Sequence, residues 1–391
     1  MLNITLLPDK EKRIYGGHPW IFKSDIARTA NDSDWRAEAP LARVMTSRGK
    51  FAAIALHNPA SQIALRVITQ RDEAIDEAFF GRKVHAAVEF RRQFRHADLE
   101  SCRLIYAESD GLPALICDRF GDVIVFQSMS LGIEAYKRCI IDAVTQETGV
   151  RNVWERSDAP VRNLEGLPMV SALYAGEVPD MVDFQENGVK FRIDVKNGQK
   201  TGYFLDQKEN RAAIARYVQD SRVLDCFTHV GSFALHAAKY GAAQVVGVDI
   251  SDSAVAMAEE NCRLNGFDNV AFETANAFDY LRNLSAGQFD VIILDPPAFT
   301  KTRGALDNAL RGYKEINLRA MKLLRGGGIL VTCSCSQHVD GAAFGSMLHA
   351  AARDAKVTLR VLDKRGAAPD HPVLMGARET EYLKFWICDV G

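Results

Sequence analysis

The 391-residue sequence contains no C-x-x-C pair among its eight cysteines, so a zinc ribbon or an iron–sulfur site has no ligand framework, and no metal is expected. It has no apolar run of about 18 residues, which argues against a membrane-spanning helix. The opening MLNITLLPDKEKR lacks a sustained apolar stretch behind a basic start, so no secretory leader is expected. With the cysteines scattered along the chain, the expectation is free thiols in a reducing cytoplasm. A strong charge of one sign is missing too. The net charge is -2, so any nucleic-acid partner must be held by local patches and not by a whole-molecule field. There is also no G-x-G-x-x-G, which leaves a pyrophosphate cradle, and with it NAD, poorly supported.

What is present reads as a folded chain, with 47% hydrophobic and 25% charged residues, and its length predicts two or three domains. Residues 1–72 form a β-rich unit in which SRGK and HNPAS break short apolar runs. Its opening KEKRIYGGHPWIFK interleaves Lys12, Arg13, His18 and Lys23 with Tyr15 and Trp20. Cations among aromatics suit a phosphate backbone and stacked bases, and suit a solvated basic edge over a core Trp equally well. Residues 73–185 read as an α+β unit. It opens on a helix from Asp76 to Phe94 with Arg82, Lys83, Arg91, Arg92 and Arg95 on the surface, followed by short strands and a second helix. Asn-Gly pairs at 187–188 and 197–198 each predict a hairpin.

Over residues 186–391 the pattern changes to alternating helices and near-continuous apolar strands, which predicts a parallel, doubly wound α/β sheet. Ligands in such sheets sit beyond the carboxyl ends of the strands. Here those ends carry Asp225 with Phe227 and Gly231, then Asp249 with Ile250, then Asn276 with Ala277, then Asp295 with Pro296. Any single acid there is explained by helix capping, the reading preferred for Asp252 and Asp268. Four successive ends together suit a ligand with a ribose, an adenine and a charged amino-acid tail but no pyrophosphate, which is S-adenosylmethionine (SAM).

The segments VLDCFTHVGSFALHAA, VVGVDIS, LDPPAF and NGQKTGYFLDQKENR resemble the Rossmann-like class I methyltransferases. More narrowly they resemble the ribosomal RNA large-subunit methyltransferase I family, which makes 5-methylcytosine. The resemblance spans the chain. It implies an RNA-binding PUA domain at 1–72, a central α+β domain at 73–185 and a catalytic domain at 186–391. It also implies that Gln199, Lys200 and Thr201 line the methionine end of the cofactor. Ser232 stands where the family often has a second glycine.

The stretch ILVTCSCSQH places Cys333 and Cys335 at the end of a predicted strand. Carbon 5 of cytosine is not nucleophilic, and a thiolate adding to carbon 6 makes it so. The resemblance implies that the nucleophile lies in a strand-end Ser/Thr-Cys-Ser segment, which selects Cys335 within Ser334–Ser336 and leaves Cys333 as a small buried residue. It offers no second cysteine beside DPPAFTK to help expel the product. Asp295 is a candidate to hold the ring. Lys301, Arg303 and His338 are candidates to ionise the thiol. The target is expected to be an unpaired or flipped-out cytosine of rRNA, because carbon 5 faces the deep, narrow groove of A-form RNA. A homodimer is left open. The rivals are an rRNA guanine or adenine nitrogen methyltransferase, a non-catalytic RNA-binding ribosome-assembly factor, and a methyltransferase acting on protein or a small molecule.

Overall fold

The computed structural model describes residues 1–27, 39–93, 99–300, 303–324 and 326–391. The chain divides into two compact units. The first comprises Met1–Val182, Asp194–Leu205 and Pro369–Thr380, and the second Asp183–Ile193, Asp206–Ala368 and Glu381–Gly391.

The first unit contains two five-stranded sheets. The amino-terminal sheet runs, in spatial order, through Leu2–Thr5, Leu41–Met45, Phe51–His57, Leu65–Thr69 and Trp20–Ile21. SRGK makes the expected turn between two of these strands: the Thr46 N–H donates to the Lys50 carbonyl at 2.8 Å, and Gly49 takes φ +71°. Alternate apolar side chains, among them Ile4, Val44, Ala53 and Leu65, form its core. The other sheet orders Val170–Ala175, Asn152–Ser157, Val123–Ser128, Leu115–Phe120 and Ser101–Tyr106. Its core also takes Phe79, Phe80 and Val84 from helix Glu77–Arg92, and Ile140 and Val144 from helix Lys137–Thr148. Asp76 starts the first of these helices by accepting the Phe79 N–H at 2.8 Å. The predicted end of that helix, Phe94 with Arg95, lies outside the described residues.

One surface assignment is corrected. Arg91 is fully buried, because its guanidinium donates to the Arg103 carbonyl at 2.8 Å, to the Asp110 carboxylate at 2.6 Å and to the Asp370 carbonyl at 2.7 Å. Apolar periodicity places it outward, but three acceptors inside the unit repay its desolvation.

The second unit begins with a hairpin, Val182–Glu186 and Val189–Ile193, closed by Asn187 (φ +49°) and Gly188 (φ +76°) as the Asn-Gly pair predicts. The second Asn-Gly pair does not make a hairpin. Asp194 captures that backbone instead: its carboxylate accepts the Lys196 and Asn197 N–H groups at 2.9 Å, and its carbonyl accepts Gly198 N–H at 3.0 Å.

The main sheet has seven strands: β1 (Arg222–Cys226), β2 (Gln244–Asp249), β3 (Val270–Thr274), β4 (Val291–Leu294), β5 (Ile329–Ser334), β6 (Leu359–Arg365) and β7 (Lys384–Val390). Their spatial order is β3-β2-β1-β4-β5-β7-β6. The first five are parallel, and β7 runs antiparallel between β5 and β6. The order turns back between β1 and β4, which is where a doubly wound sheet leaves a crevice at its carboxyl edge. The connecting helices are α1 (Ser232–Lys239), α2 (Asp252–Asn265), α3 (Ala277–Asn283), α4 (Leu306–Leu323) and α5 (Gly341–Ala355). Helix α5 has no counterpart among the sequence expectations. Ahead of β1 the chain forms two short helices, Lys208–Ala213 and Ala215–Val218, separated at Ile214.

Candidate active site

Asp225, the last residue but one of β1, is fully buried. One carboxylate oxygen accepts the Thr228 hydroxyl at 2.6 Å and the Ala234 N–H at 2.9 Å. The other is buried without a hydrogen-bond partner among the described residues. Burial pushes this carboxyl up to about 7. Asp295 and Asp249 add to the rise, while Thr228 and the Ala234 amide oppose it. An orphaned, buried acceptor at the mouth of a crevice is the feature expected where a polar ligand completes the site.

The loop after β1 is tied to β2. Phe227 and Thr228 donate to the Val248 carbonyl at 2.8 and 3.0 Å, and His229 N–H donates to Asp249 at 2.9 Å. The other Asp249 oxygen accepts Ser251 N–H at 3.0 Å, so this carboxylate is aimed by backbone on both sides. Gly231 sits at φ +84°. A Cβ there would lie 3.1 Å from the Phe272 ring and 3.3 Å from Ala258, so both conformation and space call for glycine. The neighbouring Ser232 is buried at the first position of α1. Ile250 is exposed, Asn276 spends its side-chain oxygen capping α3 on Phe278 N–H at 2.9 Å, and Ala277 is buried. Phe227, Phe278, Phe299 and Tyr313 form a chain of ring contacts with centroids 4.5–6.4 Å apart.

β4 runs into Asp295-Pro296. Gln207 donates to the Asp295 carboxylate at 3.0 Å and is itself held by Asn210 at 2.6 Å. Burial raises Asp295 to about 6. Asp206 adds to the rise, and Arg211, Gln207 and Cys333 oppose it. Cys333 is fully buried on β5 in an apolar cluster, and burial pushes its thiol well up. Cys335 lies just past the end of β5 and is partly exposed, with Sγ 3.8 Å from the Pro296 carbonyl. The Cys335 thiol therefore lies against the backbone of the turn that follows β4.

Of the three candidate activators, Lys301 lies outside the described residues, the Arg303 side chain is undescribed, and His338 is exposed. The buried cation at this corner is Lys384, whose Nζ donates to the Ser336 carbonyl at 2.7 Å. Sequence reasoning missed Lys384, Gln207 and Asn210. Gln207 and Asn210 lie in the quoted FLDQKENR run, but Lys384 needs the β5–β7 register to be seen.

Gln199, Lys200 and Thr201 belong to the first unit. There the Thr201 hydroxyl donates to Asp118 at 2.7 Å, Lys200 takes φ +54°, and the Lys200 ammonium lies 4.8 Å from the Phe204 ring. In the amino-terminal segment, Arg13 meets the His18 ring at 2.8 Å and His18 stacks edge-on to Trp20 at 5.6 Å. Trp20 donates to Glu108 at 2.9 Å, and burial lowers the pKa of His18. Tyr15 is exposed, Lys12 pairs with Asp9, and Lys23 donates to the Ala60 carbonyl. The first three thus form one cluster that Tyr15, Lys12 and Lys23 do not join through any of these contacts. Among the described residues no group of three potential ligands could hold a metal ion, and no helix is long and apolar enough to cross a membrane.

Comparison with known proteins shows what this crevice belongs to. A profile described as S-adenosylmethionine-dependent methyltransferase matches residues 168–385, and one described as PUA-like domain matches residues 4–70. The chain belongs to the S-adenosylmethionine-dependent methyltransferase family. It is similar to the ribosomal RNA large subunit methyltransferase I of Aliivibrio fischeri, at 39% identity over 100% of this chain and 99% of that one. The same-named protein of Cronobacter sakazakii is 38% identical over 100% and 99%. The fold is also that of a Streptococcus mutans structure assigned to the SAM-dependent methyltransferases, with TM-score 0.83, 20% identity and both chains covered in full. As a methyltransferase of this family, the chain takes SAM as its cofactor.

Proposed function

We propose that this methyltransferase transfers the SAM methyl group to carbon 5 of a cytosine in large-subunit rRNA, with Cys335 as the nucleophile. The observation that carries the reading is the partly exposed Cys335 thiol, 3.8 Å from the carbonyl of Pro296 at the carboxyl edge of the sheet. Methylation of a nitrogen needs no thiol there. The names of the full-length relatives support rRNA as the substrate class.

In this reading the cofactor supplies an electrophilic methyl group on a sulfonium. Asp225, Phe227, Gly231, Asp249, Ile250, Asn276, Ala277, Asp295 and Pro296 of the second unit hold it. The unsatisfied Asp225 oxygen fits a ligand that brings hydrogen-bond donors. The chemistry belongs to this chain's own groups. The Cys335 thiolate adds to carbon 6, and carbon 5 gains the electron density that takes the methyl group. Carbon 5 then loses its proton, the carbon–sulfur bond breaks and the thiolate is released.

The target cytosine is unpaired or flipped out, at a cost of a few kcal/mol. Lys12, Arg13, Tyr15, His18, Trp20 and Lys23 of the 1–72 domain contribute grip on flanking RNA that offsets it. The test is nucleoside mass spectrometry of rRNA from cells lacking the protein, complemented with wild type or Cys335→Ala. Loss of one 5-methylcytosine, restored by wild type and not by the variant, is expected. Unchanged 5-methylcytosine overturns the assignment.

A further inference from the structure

Lys384 is 7% exposed, although it carries an ammonium group and begins a core strand. It pairs in register with Ser334, so its stem lies beside the last residue of β5. Its Nζ donates to the Ser336 carbonyl at 2.7 Å and to the Tyr382 carbonyl at 2.6 Å. These two acceptors fix the head group next to the residue that follows Cys335, but neither carries a formal charge. Among the described residues no carboxylate lies within ion-pair distance of it. A buried cation held only by neutral carbonyls is costly unless a negative charge forms nearby when it is needed.

The charged and titratable groups facing it are Cys335 at the end of β5, Asp340 at the start of α5 and Glu381 just before β7. An Asp340 oxygen is committed to the α5 cap, accepting Ala343 N–H at 2.8 Å. On the α4 side, the Tyr313 hydroxyl meets Ser336 Oγ at 2.9 Å and reinforces the same loop. Burial lowers Lys384 to about 8, and of its neighbours Cys335 does most to oppose that.

Resting on the reading of Cys335 as nucleophile, we propose that Lys384 is a positioning residue whose fixed ammonium holds the Cys335 thiol as a thiolate before attack. The Sγ–H proton leaves to solvent, the bonding pair stays on sulfur, and the lysine forms no bond to it. The attraction is mutual, because each charge favours the other. This assigns the ionising role to Lys384, the first residue of β7.

The test is the pH dependence of iodoacetamide alkylation of Cys335 in the full chain, read by peptide mass spectrometry. A free thiol titrates near ~8.5, and the wild-type midpoint is expected to lie clearly below that. Lys384→Met should raise the midpoint by about one unit, which slows alkylation at neutral pH about tenfold, while Lys384→Arg keeps the wild-type profile. A wild-type midpoint at or above ~8.5, or one unmoved by Lys384→Met, overturns the proposal. SAM binding by calorimetry shows whether the Met variant is folded, and if it is not, the wild-type midpoint decides alone. Methylation by Cys335→Ala would instead overturn the nucleophile reading and leave the alkylation result standing.

Discussion

Asp225 and Asp295 are carboxyl groups whose ionisation the fold resists. Burial is the first cause in both, carrying them from the ordinary 3.8 to about 7 and about 6. The folded chain therefore holds protons there that the unfolded chain releases, so these two groups cost stability progressively as pH rises from about 4 through 7. The cofactor carries positive charge, which favours the ionised carboxylates, so its binding should expel protons. SAM affinity is expected to rise with pH, by up to about tenfold per unit per carboxyl below the folded values, and to level off above about 7. Isothermal calorimetry in buffers of different ionisation enthalpy measures that release, and affinity independent of pH between 5 and 8 would contradict it. Asp249 has both oxygens on backbone amides, a geometry set for accepting hydrogen bonds.

The elements explain why these residues meet. Each parallel strand of the sheet delivers its terminal side chain to one edge, and the turn after β1 must be tight enough to start α1 beneath the crevice. Gly231→Ala would force a Cβ at φ +84° into Phe272 and Ala258. A stability loss of at least about 1–2 kcal/mol, read from the urea midpoint, is expected together with weaker SAM binding. Arg91→Ala tests the buried anchor of helix Glu77–Arg92: leaving Asp110 without its partner should cost about 3–5 kcal/mol, whereas the exposed Arg92→Ala should cost little.

At this scale much was legible in the sequence. The alternating pattern carried the sheet, and the acids at strand ends carried the crevice, because β-strand period and helix capping are local rules. Asp194 capturing Asn197-Gly198, Arg91 turning inward and Lys384 reaching Ser336 were not legible. Each depends on a partner fixed by tertiary register, and Lys384 lies 48 residues from the carbonyl it binds. The two units also interleave along the chain, since Asp194–Leu205 and Pro369–Thr380 return to the first, and no composition shift marks such a return.

For the whole molecule, a net charge of -2 means that RNA is gripped by local contacts that can be removed one at a time. Replacing Lys12 and Arg13 by alanine should weaken RNA binding. It should flatten the slope of log affinity against log salt by roughly 0.7 for each lost phosphate contact to a single strand, with SAM affinity unchanged. An unaltered slope would show that the amino-terminal cations only solvate their sheet. In the proposed reaction, recognition, cofactor and thiol converge on a single covalent event that can be arrested. RNA carrying 5-fluorocytosine at the target blocks loss of the carbon 5 substituent, so the enzyme should remain bonded to the methylated ring. Peptide mass spectrometry after incubation with SAM is predicted to find the nucleotide on Cys335, with no adduct in Cys335→Ala. An adduct on another cysteine, or methyl transfer to unsubstituted RNA with no adduct trapped on the fluorinated strand, would contradict the account.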